Sequence, residues 1–155
     1  MDLSELMSRY VVRISYDESA ARAAELMRRN RIGILPVVQG DRVVGVLTDR
    51  DLVTRCLAPG AVPIETAVDR IMTRPAVSVE WNAPVGDVLT LMARHQVKRL
   101  PVTRQGNLIG MVSLSDLPPA LSDTVVADAY RKIFSGAPSS GGNAAWESIF
   151  SSFFH

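Results

Sequence analysis

The chain has 155 residues, is 47% hydrophobic and carries a formal net charge of +1. This near-neutral charge gives no electrostatic reason to expect nucleic-acid binding, and no run of about 18 apolar residues predicts a membrane span. The single cysteine, Cys56, excludes a disulfide within the chain. The acidic and polar first residues lack the apolar region of a signal peptide. We therefore expect a soluble cytoplasmic protein.

The first half of the chain predicts six regular elements. They are a short helix at 3–7, a strand at 11–14, a helix at 17–30, a strand at 34–38, a strand at 43–47 after a turn, and a helix at 48–57. The helix at 17–30 has the i, i+3, i+4, i+7 apolar spacing of an amphipathic helix, and Asp17 or Ser19 can cap it. Pro36 has no N–H for strand pairing, so we expect its strand at an edge or beside a bulge.

The second half repeats this order after a linker at 58–63 and a helical turn at 66–72. It predicts a strand at 77–79, a helix at 84–95, strands at 99–103 and 108–112 around a turn, and a helix from Ser115. Pro84 suits the first turn of a helix, where its missing N–H has no partner to lose. Pro118 and Pro119 predict that the last helix is short or distorted.

An internal repeat underlies this order. Met7–Leu52 returns as Met72–Leu117 without a gap, at a constant offset of 65 (72 − 7 = 65), and the triplet Leu-Pro-Val recurs at 35–37 and 100–102. Each repeat alone has roughly 60 residues, which is close to the lower limit for a stable core. We therefore expect the two halves to pack on each other with pseudo-two-fold symmetry.

A hydroxyl and an acid, three residues apart, follow the last strand of each half. Thr48 and Asp51 form the first pair, and Ser113 and Asp116 form the second. One interpretation is a helix cap with a carboxylate in the first turn. The other is a ligand site, in which the Asp accepts hydrogen bonds from a ribose diol while the hydroxyl and free backbone N–H groups hold a phosphate.

The β-α-β-β-α order, the Leu-Pro-Val strand and the Gly-h-h-[Ser/Thr]-x-x-Asp turn (h, apolar) resemble the cystathionine-β-synthase (CBS) domain, and the pair resembles a Bateman module. The resemblance covers about residues 5–121. It implies an α+β fold with two tandem β-α-β-β-α repeats, at 1–60 and 61–121, followed by a C-terminal helical tail at 122–155.

The resemblance also implies two clefts between the repeats, which bind adenosine-type ligands such as AMP, ADP, ATP or S-adenosylmethionine. Asp51 and Asp116 would hold the riboses. The first cleft would contain Thr48, Arg50, Asp51, Lys98 and Arg99. The second cleft would contain Ser113, Ser115, Asp116, Gly33 and Ile34.

The two clefts differ in charge at the residues before the Leu-Pro-Val strand. The second half has Lys98 and Arg99 there, whereas the first half has the neutral Gly33 and Ile34. A charge-assisted phosphate contact contributes about 1.5–3 kcal/mol, or about tenfold or more in affinity. We therefore expect the first cleft to bind a phosphate-bearing nucleotide more tightly. The alternative is that both cations lie at a solvated corner.

The C-terminal tail predicts a helix at 123–134, a Ser/Gly connector at 135–142 and a helix at 144–154 with one apolar face. The residues of that face are Trp146, Ile149, Phe150, Phe153 and Phe154. The helix could cover the core or a dimer partner, or dock on another protein. A membrane-surface helix is disfavoured because its polar face carries no Lys or Arg.

No metal-ligand cluster, nucleophile set or phosphate-binding loop is present in the sequence, so we expect neither an enzyme nor a required cofactor. Cys56 fits core burial and His95 fits a helix C-terminus, while Tyr16 and Trp81 could flank an adenine or cover the core. The resulting hypothesis is a regulatory homodimer that binds an adenine nucleotide or S-adenosylmethionine and signals to a protein partner through 144–154, without nucleic acid or membrane. The alternative is a CBS-fold scaffold that acts through protein contacts without a nucleotide.

Overall fold

A computed structural model describes residues 2–117 and Arg131, and the structural statements below concern that part of the chain. The elements of the first half are α1 (Leu3–Leu6), β1 (Ile14–Ser15), α2 (Ala20–Asn30), β2 (Ile34–Gln39), β3 (Arg42–Thr48), α3 (Asp49–Asp51), a π-helical segment (Leu52–Leu57) and 3-10 turns at Pro63–Glu65 and Val68–Arg70. Those of the second half are β4 (Val79–Glu80), α4 (Val85–His95), β5 (Arg99–Arg104), β6 (Asn107–Ser113) and a 3-10 turn at Leu114–Asp116.

One six-stranded sheet runs through both halves, in the order β1-β2-β3-β6-β5-β4. The hairpins β2–β3 and β5–β6 are antiparallel, and β1 and β4 each add a parallel strand to their own hairpin. The two halves meet where Arg42 of β3 pairs with Asn107 of β6. The strands β1, β2 and β3 correspond to β4, β5 and β6 in the repeat. Exchanging each strand for its counterpart gives the same order, read from the opposite edge of the sheet. This confirms the α+β class and the tandem, pseudo-symmetric arrangement.

The start of α2 and the ends of α2 and α4 follow capping rules. The Ser19 side chain accepts a hydrogen bond from the Arg22 N–H at 3.1 Å, so α2 begins at Ala20 and not at the predicted Asp17. Asp17 instead accepts a hydrogen bond from the Ser15 hydroxyl at 2.6 Å. The two helices end at pseudo-equivalent residues with left-handed backbone, Arg31 (φ 52°) and Gln96 (φ 53°).

The positions of β1 and of Pro36 test two of the strand predictions. The first strand was expected at 11–14, but only Ile14 and Ser15 pair with β2, so the strand is shorter and shifted. Pro36 lies inside the sheet, opposite Val46, and the register of β2 shifts at the next residues, between Val37 and Val38. The expected bulge is therefore confirmed, because it lets a proline occur within a paired strand.

Several predictions concern residues that the structure does not describe. They are the helix at 123–134, the connector at 135–142 and the apolar helix at 144–154. The predicted effect of Pro118 and Pro119 on the last helix of the second repeat also falls outside the described residues. The repeat boundaries at 60/61 and 121/122 stay predictions as well. Within the described residues, no helix is long and apolar enough to cross a membrane.

The two hydrophobic cores exchange the segments that precede the repeats. Leu3 and Met7, at the start of the chain, pack in the core of the second repeat. Ile71 and Met72, from the connection between repeats, pack in the core of the first repeat. A fully buried side chain of this size contributes about 1.5–3 kcal/mol. Each half therefore depends on a segment that leads into the other half.

Two glycines make room for these exchanged segments. A Cβ atom on Gly45 would lie 2.6 Å from Met72 Sδ and 3.0 Å from the Thr73 carbonyl oxygen. A Cβ atom on Gly110 would lie 2.6 Å from Met7 Sδ and 2.9 Å from the Ser8 carbonyl oxygen. The Gly-h-h part of the repeated motif is therefore explained by the close approach of the exchanged backbone.

We predict that Gly45→Ala and Gly110→Ala each lower the free energy of unfolding by about 1–3 kcal/mol, because the added methyl group displaces a packed segment. Gly86→Ala is the matched control. Gly86 lies in α4 with open space around it, so this change should raise stability by about 0.5–1 kcal/mol. Urea unfolding of the three variants measures the difference, and equal effects at all three positions would contradict the packing argument.

Candidate functional site

The hydroxyl–acid turn after β3 forms a reciprocal pair of hydrogen bonds. The Asp51 N–H donates to Thr48 Oγ1 at 3.1 Å, and the Thr48 N–H donates to Asp51 Oδ2 at 3.0 Å. This is the capping-box arrangement, which was one of the two interpretations of the motif. The turn thus already uses part of the hydrogen-bonding capacity of both side chains.

Asp51 has further partners from outside its turn. The Thr73 hydroxyl lies 3.2 Å from both carboxylate oxygens of Asp51 and donates to them. The Arg55 Nε atom lies 3.7 Å from Asp51 Oδ1, and its guanidinium also donates to the Met72 carbonyl at 3.0 Å. Asp51 is only 7% exposed. Its charge is therefore compensated by groups of the chain itself, as burial requires.

The corresponding acid in the second repeat, Asp116, is exposed. The Ser113 N–H donates to Asp116 Oδ2 at 2.8 Å, and the hydroxyls of Ser113 and Ser115 lie 3.0 Å apart. Asp116 thus accepts from a backbone N–H, whereas Asp51 also accepts from the Thr73 hydroxyl. Asp51 and Asp116 have the same position in the repeat, but the carboxylate of Asp51 has more hydrogen-bond and ion-pair partners in the described residues.

A cavity of about 370 Å³ lies beside Asp116. Three parts of the chain line it. They are the segment from Ser8 to Val12 before β1, the end of α2 and start of β2 between Asn30 and Pro36, and β5 and β6 with their turn at Arg99 and between Met111 and Asp116. The cavity therefore lies between the two repeats.

The lining of this cavity combines few charges with a large apolar wall. Of the described residues that line it, Arg99 and Asp116 carry charge, and Ser8, Tyr10, Ser113 and Ser115 carry hydroxyls. The rest of the wall is largely apolar. A carboxylate can accept hydrogen bonds from a diol, a guanidinium and hydroxyls can hold an anionic group, and the apolar wall can cover a flat ring.

The residues predicted for the second cleft largely come together in this cavity. Ser113, Ser115, Asp116 and Ile34 all line it. Gly33 lies just outside, where its carbonyl accepts the Asp49 N–H at 3.0 Å. Their role in binding a ligand is a prediction, but they share one open space.

The residues predicted for the first cleft are divided between two places. Arg99 was grouped with Thr48 and Asp51, yet it lines the cavity beside Asp116. The reason is strand register, because Arg99 on β5 lies directly opposite Ser113 on β6. One of the two cations behind the expected tighter binding in the first cleft thus faces the second.

The other two basic residues of that group lie at the surface. Lys98 is exposed, and its carbonyl accepts the Leu114 N–H at 2.8 Å. Arg50 is exposed on the turn beside Asp51. The expected tighter binding of a phosphate-bearing nucleotide in the first cleft stays a prediction.

Several residues of this region were not predicted from the sequence as site residues. Ser8 and Tyr10 line the cavity from the segment before β1, and Thr73 and Arg55 contact Asp51. The offset of 65 does pair Ser8 with Thr73 (8 + 65 = 73), and both carry a hydroxyl. That correspondence was the available signal, but it does not say which carboxylate either hydroxyl reaches.

The aromatic residues that were considered as adenine neighbours belong to the cores. Tyr16 packs on the core of the first repeat and Trp81 on that of the second. The guanidinium carbon of Arg104 lies 5.0 Å from the centre of the Trp81 ring. Cys56 is buried as expected, with 1% exposure.

Comparison with known proteins agrees with the duplicated fold. The CBS domain family matches residues 3–58 and again residues 68–133. The chain belongs to the CBS-domain family. Both halves are thus CBS repeats, and the Asp116 cavity lies between the two members of a CBS pair.

Relatives of this CBS pair include small proteins of similar length. YhcV of Bacillus subtilis, a CBS domain-containing protein, is 37% identical over 115 residues, which cover 74% of this chain and 81% of YhcV. The crystal structure of Hypoxic Response Protein I with two coordinated zinc ions has a TM-score of 0.70 and 33% identity, covering 75% of this chain and 95% of that one. The described residues of the present chain contain no group of three His, Cys, Asp or Glu residues that could hold a metal ion.

A more distant structure is that of the CBS domain pair of protein MJ0100 in complex with 5′-methylthioadenosine and S-adenosyl-L-methionine. It has a TM-score of 0.65 and 23% identity, covering 75% of this chain and 91% of that one. At this identity the likeness shows the common fold alone.

The unlike surroundings of the two acids predict unlike effects on stability. Without ligand, Asp51→Ala should lower the free energy of unfolding by about 1–3 kcal/mol, because the Thr73 hydroxyl loses its acceptor and Arg55 loses its ion pair. Asp116→Ala should lower it by no more than about 1 kcal/mol, the value of an exposed cap. Urea unfolding of the dialysed proteins makes the comparison, and equal losses would show that the internal partners of Asp51 contribute little.

Proposed function

We propose that this CBS pair is a non-enzymatic regulatory module that binds an adenosine-type ligand between its repeats and signals to a partner protein. The cavity beside Asp116 carries the proposal, because an exposed carboxylate, a guanidinium and several hydroxyl-bearing residues line one space with largely apolar walls. AMP, ADP, ATP and S-adenosylmethionine all present the ribose diol and flat base that such a lining can hold.

The polar groups suit the two ends of a nucleotide. Asp116 uses one carboxylate oxygen for the Ser113 N–H at 2.8 Å, which leaves acceptor capacity for the two hydroxyls of a ribose. Arg99 can hold a phosphate oxygen by a charge-assisted hydrogen bond. Ser113 and Ser115 add hydroxyl donors on the same side.

The position of the cavity supports a regulatory role. Its wall combines the segment before β1, the first repeat and the second repeat. A ligand that contacts all three parts favours one arrangement of them by its differential affinity for that arrangement. Ligand concentration would then be converted into a change of shape that a partner can recognise, with residues 144–154 as the predicted contact.

A homodimer is supported by exposed apolar side chains on the first repeat. Val53 and Leu57, four residues apart on the helical segment after β3, are 54% and 58% exposed. Val62 and Ile64 follow at 51% and 74%. Exposed apolar side chains are typical of contact surfaces where they form one patch, and light scattering of the purified protein decides whether the mass is that of a dimer.

We predict that a thermal-shift screen identifies a stabilising ligand among AMP, ADP, ATP, S-adenosylmethionine, NAD and cyclic dinucleotides. A ligand at 100 times its dissociation constant should add about 2.7 kcal/mol to the free energy of unfolding. Asp116→Ala should abolish the shift because the ribose loses its acceptor. If no compound stabilises the wild-type protein, the scaffold interpretation without a bound nucleotide takes its place.

A second prediction separates phosphate from nucleoside recognition. Arg99→Gln should weaken AMP binding by about tenfold or more, because it removes a charge-assisted contact, and should leave adenosine binding within about twofold. Arg22→Gln is the control, since Arg22 lies exposed on α2 outside the cavity. Isothermal titration measures both ligands, and an equal loss for AMP and adenosine would contradict a phosphate role for Arg99.

A further inference from the structure

The two clefts differ in the side chains that the exchanged segments bring to them. Thr73 and Ser8 occupy equivalent places, because Thr73 exchanges backbone hydrogen bonds with Val46 (2.8 and 3.0 Å) and Ser8 does so with Met111 (2.8 and 2.9 Å). The two backbones are thus held alike beside their acids. What their hydroxyls do is different.

In the first cleft the hydroxyl points to the acid. Thr73 donates to the Asp51 carboxylate, with 3.2 Å to each oxygen. A ribose hydroxyl would need the same acceptor atoms. Because the Thr73 backbone is paired with Val46, an incoming ligand would have to compete with a donor that is already fixed in place.

In the second cleft the equivalent hydroxyl points elsewhere. Ser8 donates to the Tyr10 carbonyl at 3.2 Å and not to Asp116. Asp116 is exposed, whereas Asp51 is 7% exposed. The acceptor atoms that a ribose needs are therefore accessible on Asp116.

A second difference reinforces the first. Arg55 lies 3.7 Å from the Asp51 carboxylate and also binds the Met72 carbonyl at 3.0 Å, so it ties the connecting segment to the acid. The residue 65 positions later is Ala120 (55 + 65 = 120), which has no cation to offer. Within residues 2–117, the first cleft has both contacts, whereas in the second cleft the Ser8 hydroxyl binds the Tyr10 carbonyl, and alanine stands at position 120.

We propose that Thr73 and Arg55 fill the first cleft from within, so that each chain binds one ligand, in the cleft beside Asp116. This inference rests on the proposed function and reverses the affinity order expected from Lys98 and Arg99. Thr73 and Arg55 act as positioning residues that keep the connecting segment on the first repeat. The ligand acts on the other exchanged segment, at Ser8 to Val12, which lines the open cavity.

Titration calorimetry with AMP, and separately with S-adenosylmethionine, tests the stoichiometry. The wild-type protein should bind one equivalent per chain, and Asp116→Asn should bind none. Two equivalents in the wild type, or one remaining in Asp116→Asn, would overturn the inference and leave the proposed function intact. No binding of either compound by the wild type would overturn both.

Methionine methyl NMR tests the location without any substitution in the binding protein. Met111 lines the open cavity, and Met72 packs against Gly45 beside Thr73. With ¹³C-methyl methionine, addition of AMP should shift the Met111 resonance and leave the Met72 resonance in place. Equal shifts of the two would place ligand in both clefts and refute single occupancy.

Removing the internal partner should open the first cleft. Thr73→Val keeps the shape of the side chain but frees Asp51 of its hydroxyl donor, so a second, weaker equivalent of AMP should appear. Thr90→Val is the control, because the Thr90 hydroxyl donates to the Gly86 carbonyl at 2.9 Å and Thr90 lies on the exposed face of α4. A cooperative thermal transition verifies folding, and a stoichiometry that stays at one would show that Thr73 is not what excludes the ligand.

Discussion

The rest of this structure depends on the packing of the exchanged segments, each of which lies in the core of the other repeat. Met7 enters the core of the second repeat and Met72 the core of the first, and each lies over a glycine of the opposing hairpin. A single repeat would lack part of its core, since small domains have little apolar surface to lose. We therefore expect the two repeats to unfold together, although their two cores are separate.

The same exchange determines what the clefts can bind. Each exchanged segment pairs with the strand that ends in the acid turn. This pairing holds Thr73 beside Asp51, and it holds Ser8 in the lining of the cavity that also contains Asp116. Thr73 uses that position to satisfy Asp51, whereas Ser8 turns to its own backbone. A symmetric backbone thus supports two chemically different acids, one with internal partners and one open to the cavity.

The sequence predicted the features that depend on local pattern. The duplication, the Leu-Pro-Val strands and the capping turns follow from spacing, and the structure shows each of them. The contacts around Asp51 did not follow, because Thr73 lies 22 residues away across the connection between repeats and no periodicity links the two. The grouping of Arg99 also required the register of β5 on β6, which residue types alone do not determine.

The unequal clefts have a consequence for the shape of the response. A chain with one open cleft has a hyperbolic binding curve, since it lacks a second site to which the first could be coupled. Any steeper dependence on ligand concentration would have to arise between chains in an assembly. Thr73 and Arg55 are not among the residues that line the open cavity. By closing the first cleft, they would nevertheless determine how steeply binding depends on ligand concentration.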